Sequence, residues 1–302
     1  MQPVAPNAFE VISLCSGSRG NATYIRSGQT RILIDCGCSC KALKTALAAC
    51  GTAPEELNAI FITHEHEDHV RALGVLCRQY HIPVHMVEHC ARAYCTAKQT
   101  EQPDCFITHP IVFVQQIGNM TLSSFPISHD SAAGVGYRIC TEDVTVSLAT
   151  DTGKITDDVL AGLWGAQYVI LEANHDENLL LTGPYPYTLK RRILSDNGHL
   201  SNDAAAALCV RLLQNGTKRI LLSHLSEHNN TPLLARQTVL AALQAAGITN
   251  AAQRLEVACA KTPVFLVGDE KTNEEQPKEV CTKQADTYNT TILPTSPRAR
   301  AV

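Results

Sequence analysis

The chain has 302 residues, 45% of them hydrophobic, and a formal net charge of −4. That length is enough to bury a core, the longest apolar runs are strand-sized rather than membrane-spanning, and the acidic balance excludes a uniformly basic nucleic-acid glove. Thirteen cysteines, an odd number, are scattered through strand and helix patterns, and the start "MQPVAPNAFEV" has no leader-like segment; together they speak against a disulfide framework and for a cytoplasmic chain.

Short apolar runs bounded by turn residues predict strands at 9–14, 22–26 and 30–35. The first two are joined by "SGSRGN" (16–21), which matches no P-loop pattern and reads as a tight connection lining a site. Cys36, Cys38 and Cys40 follow in "CGCSC". Their spacing lacks the paired C-x-x-C knuckles of a structural zinc site, so they read as small hydrophobes. Helical periodicity at 39–49 precedes "AIFIT" (59–63), continuously apolar as in a strand buried on both faces. The polar hexad "HEHEDH" (64–69) comes next, then a helix over 70–80, a strand at 83–87 and a helix over 88–98. Further strands are predicted at 120–128, 135–140, 144–150, 167–172 and 218–223, and helices near 185–195, 202–214 and 230–246. This alternation in both halves predicts an α/β architecture of layered sheets with helices outside. From Gly268 the sequence is polar, Pro-containing and aperiodic, which predicts a folded domain over 1–267 and a disordered tail over 268–302.

The hexad lies where a buried strand turns into a helix, the place where side chains converge at a sheet edge. His64 and His66, two apart in an extended segment, share a side and can grip one cation; Asp68 and His69 face a second position. Imidazole and carboxylate together suit zinc, manganese or iron. More ligands stand at strand ends: His129 in "ISHDS", Asp151 in "ATDTG" and His224 in "LSHLS". A carboxylate at Asp151 has two oxygens and can bridge two cations. Asp35, closing "RILID", is placed to accept a hydrogen bond from a ligand histidine, or simply to start a turn.

In order, Asp35, the hexad, His129, Asp151 and His224 resemble the metallo-β-lactamase fold superfamily, a four-layer αββα sandwich with a dinuclear site on one edge. "CSGSRGNATYI", "THEHEDHVRALGVL", "SHD", "TDTG", "LEANHD", "GPYPYTLKRRILSDNGHLSN" and "LSHLSEHNN" bring the chain close to the YycJ/WalJ group of bacterial metallohydrolases within it. This resemblance implies that 1–267 is a metallohydrolase domain acting as a 5′-to-3′ DNA exonuclease with two divalent ions. It implies His64, His66 and His129 at the first ion, Asp68, His69 and His224 at the second, and Asp151 bridging, with Asp68 also contributing to catalysis. The family's usual residues at 36–40 are not cysteines, and the tail is outside the resemblance. The large insert of β-CASP nucleases is missing between Asp151 and His224.

Metal chemistry alone does not choose the substrate, since a thioester, lactone or cyclic phosphodiester hydrolase uses the same hydroxide. The second half favours DNA. "NGHLSN" places His199, Ser201 and Asn202 at the start of a long helix, with Ser201 as N-cap, an arrangement that favours anions. This loop resembles the histidine-containing loop of tRNase Z nucleases, which makes His199 a candidate for phosphate stabilisation or leaving-group protonation. Lys190, Arg191 and Arg192 can hold backbone phosphates, and Tyr185 and Tyr187 can stack on a terminal base. Glu172 and His175 in "LEANHD" are expected to pair with His199 or His224. His81, His85, His89, His109 and His228 read as surface or packing residues. The expected partner is therefore DNA at its 5′ ends, with no membrane.

Overall fold

The computed structural model describes residues 9–268. Of the tail expected over 268–302, everything past Gly268 lies outside the described residues. Strands β1 (Phe9–Cys15), β2 (Ala22–Ser27), β3 (Thr30–Ile34), β4 (Ala59–Phe61), β5 (Val84–Val87) and β6 (Phe106–His109) form the first sheet. The second sheet contains β7 (Val114–Ile117), β8 (Met120–Pro126), β9 (Val135–Cys140), β10 (Thr145–Ala149), β11 (Tyr168–Glu172), β12 (Arg219–Ser223) and β13 (Leu255–Val257). Strand β14 (Val264–Val267) returns to pair antiparallel with β1 in the first sheet.

The two sheets repeat one plan. In each, an antiparallel run leads into parallel strands: three strands, β1 to β3, then β4 to β6 in the first, and four, β7 to β10, then β11 to β13 in the second. No sequence repeat announces this. The parallel crossovers carry helices α1 (Cys40–Ala49), α2 (Glu67–Val70), α3 (Leu73–Tyr80) and α4 (Glu88–Lys98) on the first sheet. On the second they carry α5 (Asp157–Leu163), α6 (Glu177–Thr182), α7 (Tyr187–Ile193), α8 (Asn202–Gln214) and α9 (Pro232–Ala245).

Alternation along the central strands explains why they are apolar throughout. Ile170 and Leu221 join a cluster that also holds Ile12, Phe61 and Tyr137 from both sheets. Their neighbours Val169, Leu171, Ile220 and Leu222 instead pack with Ala205, Leu208 and Leu212 of α8 and Val239 of α9. Each residue points opposite to the next and both faces are covered, so no polar position is tolerated until the strand ends. The result is the expected αββα sandwich, and it pushes functional polar residues to the strand termini. Among the described residues no helix is long and apolar enough to cross a membrane.

The structure differs from the sequence expectation at the margins. The predicted 70–80 helix is two: α2 takes in Asp68 and His69, and α3 starts at Leu73. Strands β6, β7, β13 and β14 and helices α5 and α6 were not anticipated. β6, β7 and β13 are edge strands of three or four residues, and Val114 in β7 is 68% exposed, so they lack the apolar alternation that marks a covered strand.

Candidate metal centre

Consecutive strand ends deliver one cluster. Asp35 follows β3, the hexad follows β4, His129 comes shortly after β8, Asp151 after β10, Glu172 closes β11 and His224 follows β12. Asp35, Asp151 and His224 sit at φ of 60°, 57° and 54°. This left-handed region is uncommon for non-glycine residues and is held only where surrounding structure enforces it. Here it turns each side chain back across the sheet edge as soon as the strand finishes.

The seven expected ligands meet. His66 Nδ1 lies 3.1 Å from His64 Nε2 and 3.3 Å from His129 Nε2. Beside them, Asp68 Oδ2 is 3.5 Å from His69 Nε2 and 3.4 Å from His224 Nε2. Asp151 stands between the groups: one oxygen is 3.4 Å from His224 Nε2 and 3.8 Å from His129 Nε2, the other 3.3 Å from His69 Nε2. Donors about 2.1 Å from a tetrahedral ion are separated from one another by about 3.4 Å, so these spacings fit coordination better than they fit hydrogen bonds. Asp151 Oδ2 is buried and satisfied by no hydrogen bond. The mixture of imidazole and carboxylate donors suits a divalent ion such as zinc, manganese or iron.

Outer partners fix which ring nitrogen faces inward. His69 Nδ1 donates to Asp35 Oδ2 at 2.8 Å, and Asp35 also accepts from Thr63 N and the Thr63 hydroxyl, both at 2.8 Å. His64 Nδ1 is 3.0 Å from that hydroxyl, and His129 Nδ1 is 3.3 Å from Gly198 O. Of the two readings of Asp35, the hydrogen-bonding one therefore describes its side chain. Glu172 does more than the sequence indicated. One of its oxygens accepts from His224 Nδ1 and His199 Nδ1, each at 2.8 Å, and the other from Thr152 N and Leu200 N. For His64, His69, His129 and His224 this turns Nε2 toward the cluster, as a metal-binding histidine requires, while His66 presents Nδ1.

Electrostatics lean the same way. Burial opposes a charged His224, yet Asp151, Asp68 and Glu172 push its pKa up to about 10. Burial likewise opposes ionisation of Asp68, but hydrogen bonds from His224 and His69 hold it far below the usual carboxylate range. His64, in contrast, is pushed well down, first by burial and then by His69. The site is a buried negative pocket that gains by taking in positive charge.

The substrate-binding expectations separate. Arg192 pairs with Asp130 next to His129 and lines a cavity beside His199. Lys190 instead donates to Leu181 O at 2.7 Å, and the Arg191 guanidinium lies over the exposed Tyr187 ring. Ser201 is the N-cap of α8, its hydroxyl accepting from Ala204 N. Asn202 is fully buried and exchanges both amide bonds with Asn230, at 3.1 and 2.8 Å. The cap is thus consumed inside the protein, and of the loop only His199 faces the cluster, its Nδ1 3.8 Å from Asp151 Oδ1. His175 is fully buried with no hydrogen bond to either nitrogen, so it does not join Glu172 in holding His199 or His224.

The first loop lines the site, as its composition led one to expect, but through partners that the sequence did not indicate. Ser16 Oγ accepts from His224 N at 2.7 Å, and Asn21 N donates to Asp68 O at 2.8 Å. The signal was the Gly/Ser-rich composition of "SGSRGN", which shows a close backbone approach without saying to what. The cysteine loop also braces the site: Cys36 N donates to His69 O, and a Cβ on Gly37 would fall 1.6 Å from Asp68 O. Among the described residues no cysteine joins a metal-donor group.

A sandwich with this cluster on its edge defines a metallohydrolase scaffold, and the chain belongs to the beta-lactamase superfamily, whose domain model matches residues 30–225. Exodeoxyribonuclease WalJ of Streptococcus pneumoniae is 38% identical over 234 residues, which cover 77% of this chain and 87% of that protein. Exodeoxyribonuclease YycJ of Bacillus anthracis is 36% identical, covering 78% and 89%. Among solved structures, the metallo-β-lactamase fold protein YhfI of Bacillus subtilis superposes with a TM-score of 0.62 at 18% identity, over 85% of this chain and 99% of that one; at that identity the likeness speaks for the fold.

Proposed function

We propose that this chain is a metal-dependent exodeoxyribonuclease that hydrolyses phosphodiester bonds from DNA 5′ ends, using two divalent ions, zinc or manganese. The observation that carries the reading is the convergence of His64, His66, His129, Asp68, His69, His224 and Asp151 in a chain 38% identical to a named exodeoxyribonuclease. Divalent ions in such a donor set acidify water and neutralise charge on a phosphate oxygen. His64, His66 and His129 would hold one, Asp68, His69 and His224 the other, with Asp151 shared.

The chain's own groups do the rest. Burial disfavours a charged His199, but Glu172 and Asp151 push its pKa up and so favour a proton on its ring, whose Nδ1 donates to Glu172. That proton is available to the departing 3′-oxygen. Asp68, fixed by His224 and His69, keeps its charge and orients the attacking side. Arg192, paired with Asp130 and lining the cavity beside His199, supplies a cationic side chain for a phosphate. A cytoplasmic location is part of the proposal and agrees with the twelve free thiols of the described residues.

The test incubates 5′-labelled DNA, RNA and bis-p-nitrophenyl phosphate with wild type and Asp151→Ala, with zinc or manganese. Mononucleotides from DNA with wild type only are expected. Fast thioester hydrolysis with no nucleotide released from either polymer would overturn the reading.

A further inference from the structure

Between α7 and the loops that hold the cluster lies a cavity of about 200 Å³ that opens on His199. Its lining combines two chemistries: Tyr185, Leu189 and Ile193 from α7 and the turn before it, and Ser18, Asn174 and Ser226 from loops. The polar groups keep bonding capacity to spare. The Ser226 hydroxyl accepts from Asn229 N and Asn229 Nδ2, leaving its own hydrogen to donate. The Asn174 amide nitrogen is spent on His224 O, which leaves its carbonyl oxygen to accept. Tyr185 is steadied by an edge contact with His228, ring centroids 5.8 Å apart, and Arg192, tied to Asp130, stands on the rim.

Apolar and aromatic side chains together with hydroxyl and amide groups, in one cavity that His199 also lines, are complementary to a base and its sugar. The volume is below the range of about 300–1,000 Å³ usual for sites that enclose drug-sized ligands, so it holds one nucleoside and not a stacked pair. We propose that this cavity receives the terminal nucleoside of the DNA strand, with Tyr185 stacking on its base, and so limits each cut to a single nucleotide. The assignment rests on the nuclease reading above. It makes Tyr185 and Leu189 specificity-determining residues outside the metal ligands, and it explains why α7 is held close to the loop before α8, with His199 N bonded to Ile193 O at 3.0 Å.

The experiment separates the two ideas by measuring binding apart from cleavage. Deoxyadenosine 5′-monophosphate and deoxyribose 5-phosphate are titrated calorimetrically into metal-loaded wild type, Tyr185→Ala and Tyr185→Phe. Stacking on an aromatic ring predicts that wild type holds the nucleotide roughly tenfold more tightly than the sugar phosphate. Tyr185→Ala should erase that preference, Tyr185→Phe should keep it, and all three should bind the sugar phosphate alike. Equal affinity of wild type for both probes, or a preference untouched by Tyr185→Ala, overturns the assignment. The same proteins are then given DNA ending in either a normal or an abasic residue. Wild type should release the abasic residue roughly tenfold more slowly, and Tyr185→Ala should treat both ends alike. Should wild type prefer the nucleotide in calorimetry but cleave no DNA, the nuclease reading fails while the cavity stands as a nucleotide site.

Discussion

Replacing Glu172 by Gln tests how far a single buried carboxylate organises the centre. Its two oxygens accept four hydrogen bonds: from His199 Nδ1, His224 Nδ1, Thr152 N and Leu200 N. The side chain is fully buried, and its pKa is driven down to about 2; burial resists this, but His199 and His224 overcome it. A glutamine has one acceptor oxygen, so it can serve only one pair of donors while its NH2 faces the other. Leaving two buried donors unpaired costs about 1–3 kcal/mol each, and losing the charge that balances two imidazoles adds to it, so a loss of about 3–5 kcal/mol in folding stability is expected. The ring of His224 is also released from its tautomer, which should weaken metal binding by about 10–100-fold. Urea unfolding of the chelator-treated protein measures the first effect, and zinc competition against a chromophoric chelator the second. A variant that loses under about 1 kcal/mol and keeps wild-type zinc affinity would refute the organising role.

Gly37→Ala places a methyl group 1.6 Å from Asp68 O; displacing that backbone should cost on the order of 3 kcal/mol in a thermal or urea melt and lower zinc affinity, though residue 37 is no ligand. Arg192→Ala should weaken DNA binding and reduce its salt slope by about 1, whereas Lys190→Ala, whose ammonium is engaged on Leu181 O, should leave the slope unchanged. His85 is stacked between Phe61 and His109, and burial, aided by His109, pushes its pKa down from 6.5 to about 4. Because the unfolded chain binds this proton first, its contribution is intact above pH 6.5 and is lost as pH falls toward 4, by at most about 3 kcal/mol. The difference between wild type and His85→Phe in urea midpoints from pH 7.5 to 4.5 isolates that slope; parallel curves would contradict it.

The layers and the ligands were legible because burial on both sheet faces leaves strand ends as the natural place for polar side chains. "AIFIT" followed by "HEHEDH" carries that logic in eleven residues, and His129, Asp151 and His224 repeat it after β8, β10 and β12. What escaped was whatever depends on partners far apart in sequence. "NGHLSN" displays an N-cap, but nothing local says that Asn202 will turn inward to Asn230. "KRR" displays three cations, and only the packing of α7 decides that Arg192 alone reaches the cavity. Glu172 could be recognised as a partner of one histidine; that it holds two depends on the alignment of β11 with β12 and with the loop before α8.

The hydrogen bond from His224 N to Ser16 Oγ joins residues 208 positions apart. It belongs to a site whose donors come from both sheets, so neither sheet alone contains it. In chain order His224 is the last of the seven expected ligands, and its N–H meets Ser16 Oγ only where the loop after β12 lies beside the loop after β1. A partly made or partly opened molecule therefore holds an incomplete set of donors. For an enzyme that degrades DNA, this acts as a safety catch: the full donor set exists only where both sheets are in place.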